Sequence, residues 1–236
     1  MNILVINPNT STEMTKGIYE SAIAAKGVGT EITAVNPQYG PECVEGTSDE
    51  LMAAYQLLDM VRTAEQEGHY DAYVVACFGD PGVDALRELT EKPVIGVAEA
   101  AIHLSAFISG KFSIVSILPR CLVHLEELVH RYGGDNRLAS IKTPNIGVLD
   151  FHKSPEQAEK KLLFAAKEAV SEDFAEVVIL GCAGMSGFAG RVSQEIGVPV
   201  LDSVMAAVKV AEALVDMGLK TSKRNTYAPP TEKTYR

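Results

Sequence analysis

Two cysteines stand where chemistry is most easily done. Cys77 lies in Ala76-Cys77-Phe78-Gly79-Asp80-Pro81-Gly82, where an apolar run, Ala72 to Ala76, meets a turn rich in glycine and proline. Cys182 lies in Gly181-Cys182-Ala183-Gly184, just after the apolar run Val177 to Leu180. Both positions read as strand ends, and open α/β sheets bind ligands outside the carboxyl ends of their strands. Cysteine is also among the most often buried residues and packs like a small hydrophobe. Position alone therefore leaves a structural role open.

A repeat changes that balance. Val74-Val75 answers Val177-Val178, Cys77 answers Cys182 and Pro93-Val94 answers Pro199-Val200. The two cysteines are 105 residues apart and the two prolines 106, so the spacing nearly holds across the whole unit. Upstream, Asn2-Ile3-Leu4-Val5-Ile6-Asn7-Pro8-Asn9 has a weaker echo in the segment Lys111 to Arg120. A unit this long is no solenoid repeat. It implies two similar lobes with a ligand between them, and such clefts are common ligand sites.

Two thiols at equivalent strand ends would approach one ligand from opposite sides. Inverting a carbon–hydrogen stereocentre needs that arrangement: a base on one face and a proton donor on the other. One cysteine would act as thiolate and the other as thiol, exchanging roles between enantiomers. A free thiol titrates at about 8.5 and lower at a helix N-terminus. Both thiols are therefore expected to be poised near neutrality, as acid–base work prefers. Gly79 and Gly184 follow their cysteines by two, and their amides are expected to meet the oxygen of the enolate.

Composition bounds the alternatives. The chain has 236 residues, 47% of them hydrophobic, which suits one large domain or two smaller ones. Its formal net charge of −10 disfavours nucleic acid and acidic membranes as partners. The chain enters the strand Asn2 to Asn7 without a basic or apolar leader, and no apolar run approaches the about 20 residues that span a bilayer. A cytoplasmic location is expected. The four cysteines should then be thiols, and their spacing with the five histidines suggests no metal site. Cys121 opens a helix whose buried face reads as Leu122, Leu125, Val129 and Tyr132, a packing role. Cys43 lies between Glu42 and Glu45, which disfavour a thiolate.

Strand-like runs alternate with helical ones. The strands read as Ile3 to Ile6, Ile32 to Val35, Ala72 to Ala76, Val94 to Val97, Phe112 to Ile117, Val177 to Leu180 and Val198 to Leu201, with a weaker one near Ser140 to Thr143. Leu51, Ala54, Leu58 and Val61 are spaced as one helix face, and Asp80 with Pro81 reads as the start of the helix Val83 to Leu89. Ser154 and Pro155 open a further helix whose apolar face runs through Leu162, Ala166 and Ala169. Such alternation predicts an α/β fold of two pseudo-symmetric Rossmann-like lobes, each a mostly parallel sheet flanked by helices, with the active site in the cleft between them. Residues 1–98 form the first lobe and 99–204 the second. The helix Val204 to Gly218 follows. Residues 221–236 are a polar tail, either flexible or an arm on a neighbouring subunit.

The motifs Ile3-Leu4-Val5-Ile6-Asn7-Pro8-Asn9-Thr10-Ser11, Ala76-Cys77-Phe78-Gly79-Asp80-Pro81-Gly82 and Leu180-Gly181-Cys182-Ala183-Gly184-Met185 resemble the aspartate/glutamate racemase superfamily. Within it they are most similar to the hydantoin and allantoin racemase branch, over roughly residues 2–218. The resemblance implies that Cys77 and Cys182 are the acid–base pair and that no cofactor or metal is needed. It implies a substrate pocket built from Pro8, Asn9, Thr10 and Ser11 after the first strand, and from Phe78, Gly79, Ala183 and Gly184. It also implies that the helix Val204 to Gly218 returns to the first lobe, giving that lobe 205–220, and that the protein is a homo-oligomer. For Asn9 a turn or cap role is the competing reading, because Asn7 to Met14 is also a helix-start signal.

Chemistry narrows the substrate. Removing the C5 hydrogen of a hydantoin leaves an enolate within a neutral ring, whereas a dicarboxylic amino acid needs strong anion recognition. Bulky Phe78 and the acid Asp80 beside the thiol do not suit a dicarboxylate. A 5-monosubstituted hydantoin is therefore expected, with allantoin as the rival, then another amino acid of the same superfamily. A non-catalytic small-molecule binding module is the alternative from a different class. Duplicated cysteine followed by glycine argues against it, since binding alone does not require that pattern.

Overall fold

The computed structural model describes residues 1–231 and Lys233. Two parallel four-stranded sheets form its frame. The first contains β1 (Asn2–Ile6), β2 (Glu31–Val35), β3 (Ala72–Val75) and β4 (Val94–Gly96), in the order β2-β1-β3-β4. The second contains β5 (Phe112–Val115), β6 (Leu138–Lys142), β7 (Val177–Leu180) and β8 (Val200–Leu201), in the order β6-β5-β7-β8. The order is the same in both, as the repeat requires. Register refines the match. Val75 ends β3 and Leu180 ends β7, each two residues before its cysteine. The spacing of 105 thus holds through the strands, and Val74-Val75 is equivalent to Ile179-Leu180 rather than to Val177-Val178.

Parallel neighbours need crossovers, and helices supply them. In the first half these are α1 (Thr12–Ala25), α2 (Thr47–Glu67), α3 (Val83–Leu89) and α4 (Val97–Ile108). In the second they are α5 (Leu122–Arg131), the short α6 (Asp150–Lys153), α7 (Pro155–Ser171), α8 (Ala189–Ile196) and α9 (Ser203–Asp216). Alternate strand residues face opposite sides. Ile3, Val5, Ile114 and Ile179 point into a core between the sheets, which they share with α4 and α9. Leu4, Ile6 and Val75 point outward onto Leu57 and Val61 of α2 and Leu86 of α3. On the far sheet Val178 and Leu180 meet Leu162 and Ala166 of α7. The central strands are wholly buried, which is why their sequences are continuous apolar runs rather than alternating ones.

Several sequence expectations are corrected. The buried face of α2 is Ala53, Leu57, Val61 and Ala64, while Leu51 is 69% exposed. α5 buries Leu125, Leu128 and Val129, with Leu122 and Tyr132 half-buried. Ser154 precedes α7 without a side-chain cap bond, so Pro155 at the first turn is the start signal there. α9 packs against α1, α4, β3 and β4. Part of the polar tail packs on its own chain. The Thr221 amide donates to Glu91 O, the Lys223 ammonium to Glu88 O, and the Tyr227 hydroxyl to Asp84. Tyr227 also receives the Arg87 guanidinium over its ring at 5.7 Å. These contacts hold 221–227 against α3 and the turn that follows it. Glu232 and Thr234 to Arg236 of the tail lie outside the described residues. No described helix is long and apolar enough to cross a membrane.

Candidate active site

One cavity lies at the carboxyl ends of both sheets and opens to solvent. Cys77, Phe78 and Gly79 line it from the turn after β3, and Cys182 and Ala183 from the turn after β7. Asn9 enters from the turn after β1, and Ser116 and Ile117 from the equivalent turn after β5. Val44 to Thr47 and Glu50, from the loop into α2 and its first turn, cross the mouth to meet Arg120, Cys121, His124 and Val148. Two contacts hold this strap down. The Val148 amide donates to Glu45 Oε1 at 3.0 Å, and the Cys121 thiol to Glu45 O at 3.6 Å.

The backbone explains how the sulfurs are aimed. Cys182 is extended (φ −155°, ψ 134°) just before a turn, so its sulfur folds back onto the Gly184 amide, which donates to it at 3.3 Å. The Gly79 amide acts on the Cys77 sulfur in the same sense. The Gly184 amide is thus turned to sulfur, where it favours thiolate. Burial still dominates. It pushes the Cys182 thiol up to about 12. It pushes Cys77 up as well, against the pull of the Gly79 amide and with the nearby Cys182 adding to the rise. The expectation of thiols poised near neutrality is corrected: burial destabilises the charged form more than the neighbouring backbone amides offset.

Of the other expected residues, Pro8, Thr10, Ser11 and Gly184 lie off the cavity wall. Ser11 caps α1, accepting from the Met14 amide, and Thr10 donates its amide to Pro41 O at 3.0 Å, anchoring the strap. Asn9 does two jobs. Its Oδ1 takes the Ser11 amide and the Asn7 side chain, both at 2.9 Å, while the residue also faces the cavity. The strap residues and the wall at Ser116 to His124 escaped sequence reasoning. A signal existed for the second group, because the echo of the first strand and its loop runs through Lys111 to Arg120. Cys121 packs as expected and also lines the cavity. Cys43 does not line it; burial and Glu45 push its thiol up to about 11. Among the described residues no group of three or more His, Cys, Asp or Glu side chains is placed to hold a metal ion.

Asp80 is not the cap of α3. Its backbone is left-handed (φ 46°), which turns the carboxylate away towards the first turn of α4. There it accepts from the amides of Ala98 at 3.1 Å and Glu99 at 2.9 Å, and from the Tyr132 hydroxyl at 2.9 Å. Burial raises this carboxyl to about 7, against those three donors. The turn that carries Cys77 is thereby tied to the helix joining the two halves.

The chain matches the family model described as Asp/Glu/Hydantoin racemase over residues 3–211. It is 56% identical to a hydantoin racemase of Paenarthrobacter aurescens, with 100% of both chains covered. To a hydantoin racemase of Pseudomonas sp. (strain NS671) it is 47% identical, covering 100% of this chain and 94% of that one. The fold superposes on an allantoin racemase from Klebsiella pneumoniae with a TM-score of 0.97 at 42% identity, covering 100% and 96% of the two chains. With this similarity running through both sheets and both cysteine turns, the chain belongs to the Asp/Glu/hydantoin racemase family.

Proposed function

We propose that this racemase interconverts the enantiomers of 5-monosubstituted hydantoins by two-base proton transfer between Cys77 and Cys182, without a cofactor. The observation that carries the reading is the placement of both thiols on one cavity, at equivalent strand ends of two like sheets. The thiolate removes the C5 proton, forming S–H and leaving an enolate whose charge spreads onto the adjacent carbonyl. The opposite thiol then gives its proton to C5 from the other face. Atoms and charge balance, and the thiol and thiolate have exchanged places. The reverse passage uses the same pair in the other order.

The substrate class is supported by the hydantoin racemases at 56% and 47% identity and by the wall of Met14, Val44, Phe78, Ile117 and Val148, which suits an uncharged ring with an apolar arm. Allantoin is the second reading, favoured by the allantoin racemase of near-identical fold and by Glu45 and Arg120 in the same cavity, which could meet a polar ureido arm. Incubating the protein with one enantiomer of 5-benzylhydantoin, without added cofactor, should abolish its optical rotation. Rotation that decays no faster than the spontaneous rate, while allantoin's decays quickly, would transfer the assignment to the second reading.

A further inference from the structure

A histidine on the cavity wall is left incomplete. His124 Nε2 is buried and has no hydrogen-bond partner among the described residues. It lies 3.1 Å from Glu50 Oε1, without hydrogen-bond geometry. Glu50 in turn is only 21% exposed at its side chain, and burial raises its carboxyl while His124 opposes the rise. Buried polar atoms without partners are uncommon and need a reason. Here the reason is location: both groups line the cavity beside Gly79, two residues from Cys77. A Cβ on Gly79 would stand 2.8 Å from Glu50 Oε1 and 3.3 Å from His124 Nε2, so that glycine leaves room for the pair.

The pair spans the two halves of the molecule, Glu50 from α2 and His124 from α5. It offers an acceptor next to a donor. A cyclic ureide presents the complement on the edge beside its reacting carbon: the N3–H as donor and the C4 carbonyl as acceptor. On the reading that the substrate is a hydantoin, we propose that Glu50 accepts the ring N3–H while the Nε2–H of His124 donates to the C4 carbonyl. That hydrogen bond strengthens as the enolate forms, because the charge from C5 collects on that oxygen. It serves the oxygen that the Gly184 amide, turned to sulfur, does not reach. Glu50 fixes the ring; His124 touches the atom where charge develops.

The test separates binding from chemistry. 5,5-Dimethylhydantoin has no C5 hydrogen and reports binding alone; 3,5,5-trimethylhydantoin lacks the N3–H as well. Wild-type protein should bind the first roughly tenfold or more tightly than the second, and Glu50→Ala should lose that discrimination. His124→Phe should lower kcat for 5-benzylhydantoin roughly a hundredfold, and His124→Gln, which keeps an N–H donor, should recover part of it. Equal binding of the two ligands by wild-type protein, or wild-type kcat in His124→Phe, would overturn the pair. The ligand comparison needs no variant, so a variant that fails to fold does not shelter the proposal. If wild-type protein racemises no hydantoin, the substrate reading falls and the pair falls with it. If it racemises 5-benzylhydantoin but binds both ligands equally, only the pair falls.

Discussion

The turn after β3 and the turn after β7 solve one problem in opposite ways. In each half, a single buried carboxylate ties the cysteine turn to the first turn of the helix after the next strand. In the first half the carboxylate comes from the turn itself: Asp80 accepts from the Ala98 and Glu99 amides of α4. In the second half it comes from the helix start: Asp202 accepts from the Val204 and Met205 amides of α9, and from Gly187 in the turn. These amide pairs are equivalent under the 106-residue spacing of the repeat. The position equivalent to Asp202 is Gly96, with nearly the same backbone (φ −79° against −76°) and no side chain. The Asp80 carboxylate fills the space where a Gly96 side chain would begin. What the two halves share is the carboxyl group at the helix start, not the residue that carries it.

The strongest way to break this comparison is Gly96→Asp. A second carboxylate forced onto Asp80 should cost on the order of several kcal/mol, read as a lower midpoint in urea. Adding Asp80→Gly should restore most of it, because the left-handed backbone at residue 80 suits glycine. The introduced carboxylate would then cap α4 as Asp202 caps α9. A double variant as unstable as Gly96→Asp alone would show that the two carboxylates are not equivalent.

The thiols themselves give the next effect. Both are raised by burial, Cys182 to about 12 and Cys77 also upward. Below those values the thiolate fraction grows about tenfold per pH unit. Inactivation by iodoacetamide should therefore keep accelerating from pH 7 to 9, and a bound hydantoin should slow it. A plateau near pH 7 would mean that a thiol is already ionised in the empty cavity.

A smaller effect separates Asp80 from an uncharged cap. Its folded value of about 7 exceeds the ordinary 3.8, so the folded state holds this proton more tightly than the unfolded chain does. Stability from this group is complete below about pH 4 and declines as pH rises to 7. Asp80→Asn has no such proton, so the wild-type melting temperature should fall relative to the variant's across that window. Parallel pH profiles would contradict the assignment. The smallest effect belongs to Cys43, which is off the cavity wall: Cys43→Ala should retain nearly all racemase activity, and a large loss would give this thiol a direct role.

Much of this architecture is legible in the sequence, for physical reasons. Fully buried parallel strands must be apolar throughout, so Ala72 to Val75 and Val177 to Leu180 announce themselves, and the repeat pairs their cysteines. Legibility fails where a choice is tertiary. α2 carries apolar residues on two stripes, and only packing against β1 and β3 selects Ala53, Leu57 and Val61 over Leu51 and Leu58. Asp80 before Pro81 has the local form of a cap, but its left-handed backbone sends the carboxylate to a helix 18 residues away. The strap from Val44 to Glu50 reaches the other sheet's wall, and no local pattern encodes that reach. Solvation of the thiols is equally invisible from a list of neighbours, which is why their pKa values moved up and not down.

The central claim, that Cys77 and Cys182 serve opposite faces of one carbon, is tested most directly by handed isotope exchange. A serine hydroxyl is too weak an acid to supply a base near neutrality, so in Cys77→Ser and Cys182→Ser only the remaining thiol can abstract the proton. Each variant is incubated in deuterated buffer with each pure enantiomer of 5-benzylhydantoin, and C5 deuteration is followed by proton NMR with the spontaneous rate subtracted. Both variants should lose racemisation, yet each should still exchange C5 of one enantiomer, and the favoured enantiomer should reverse between the two. Exchange surviving with the same enantiomer in both variants would contradict the opposed arrangement.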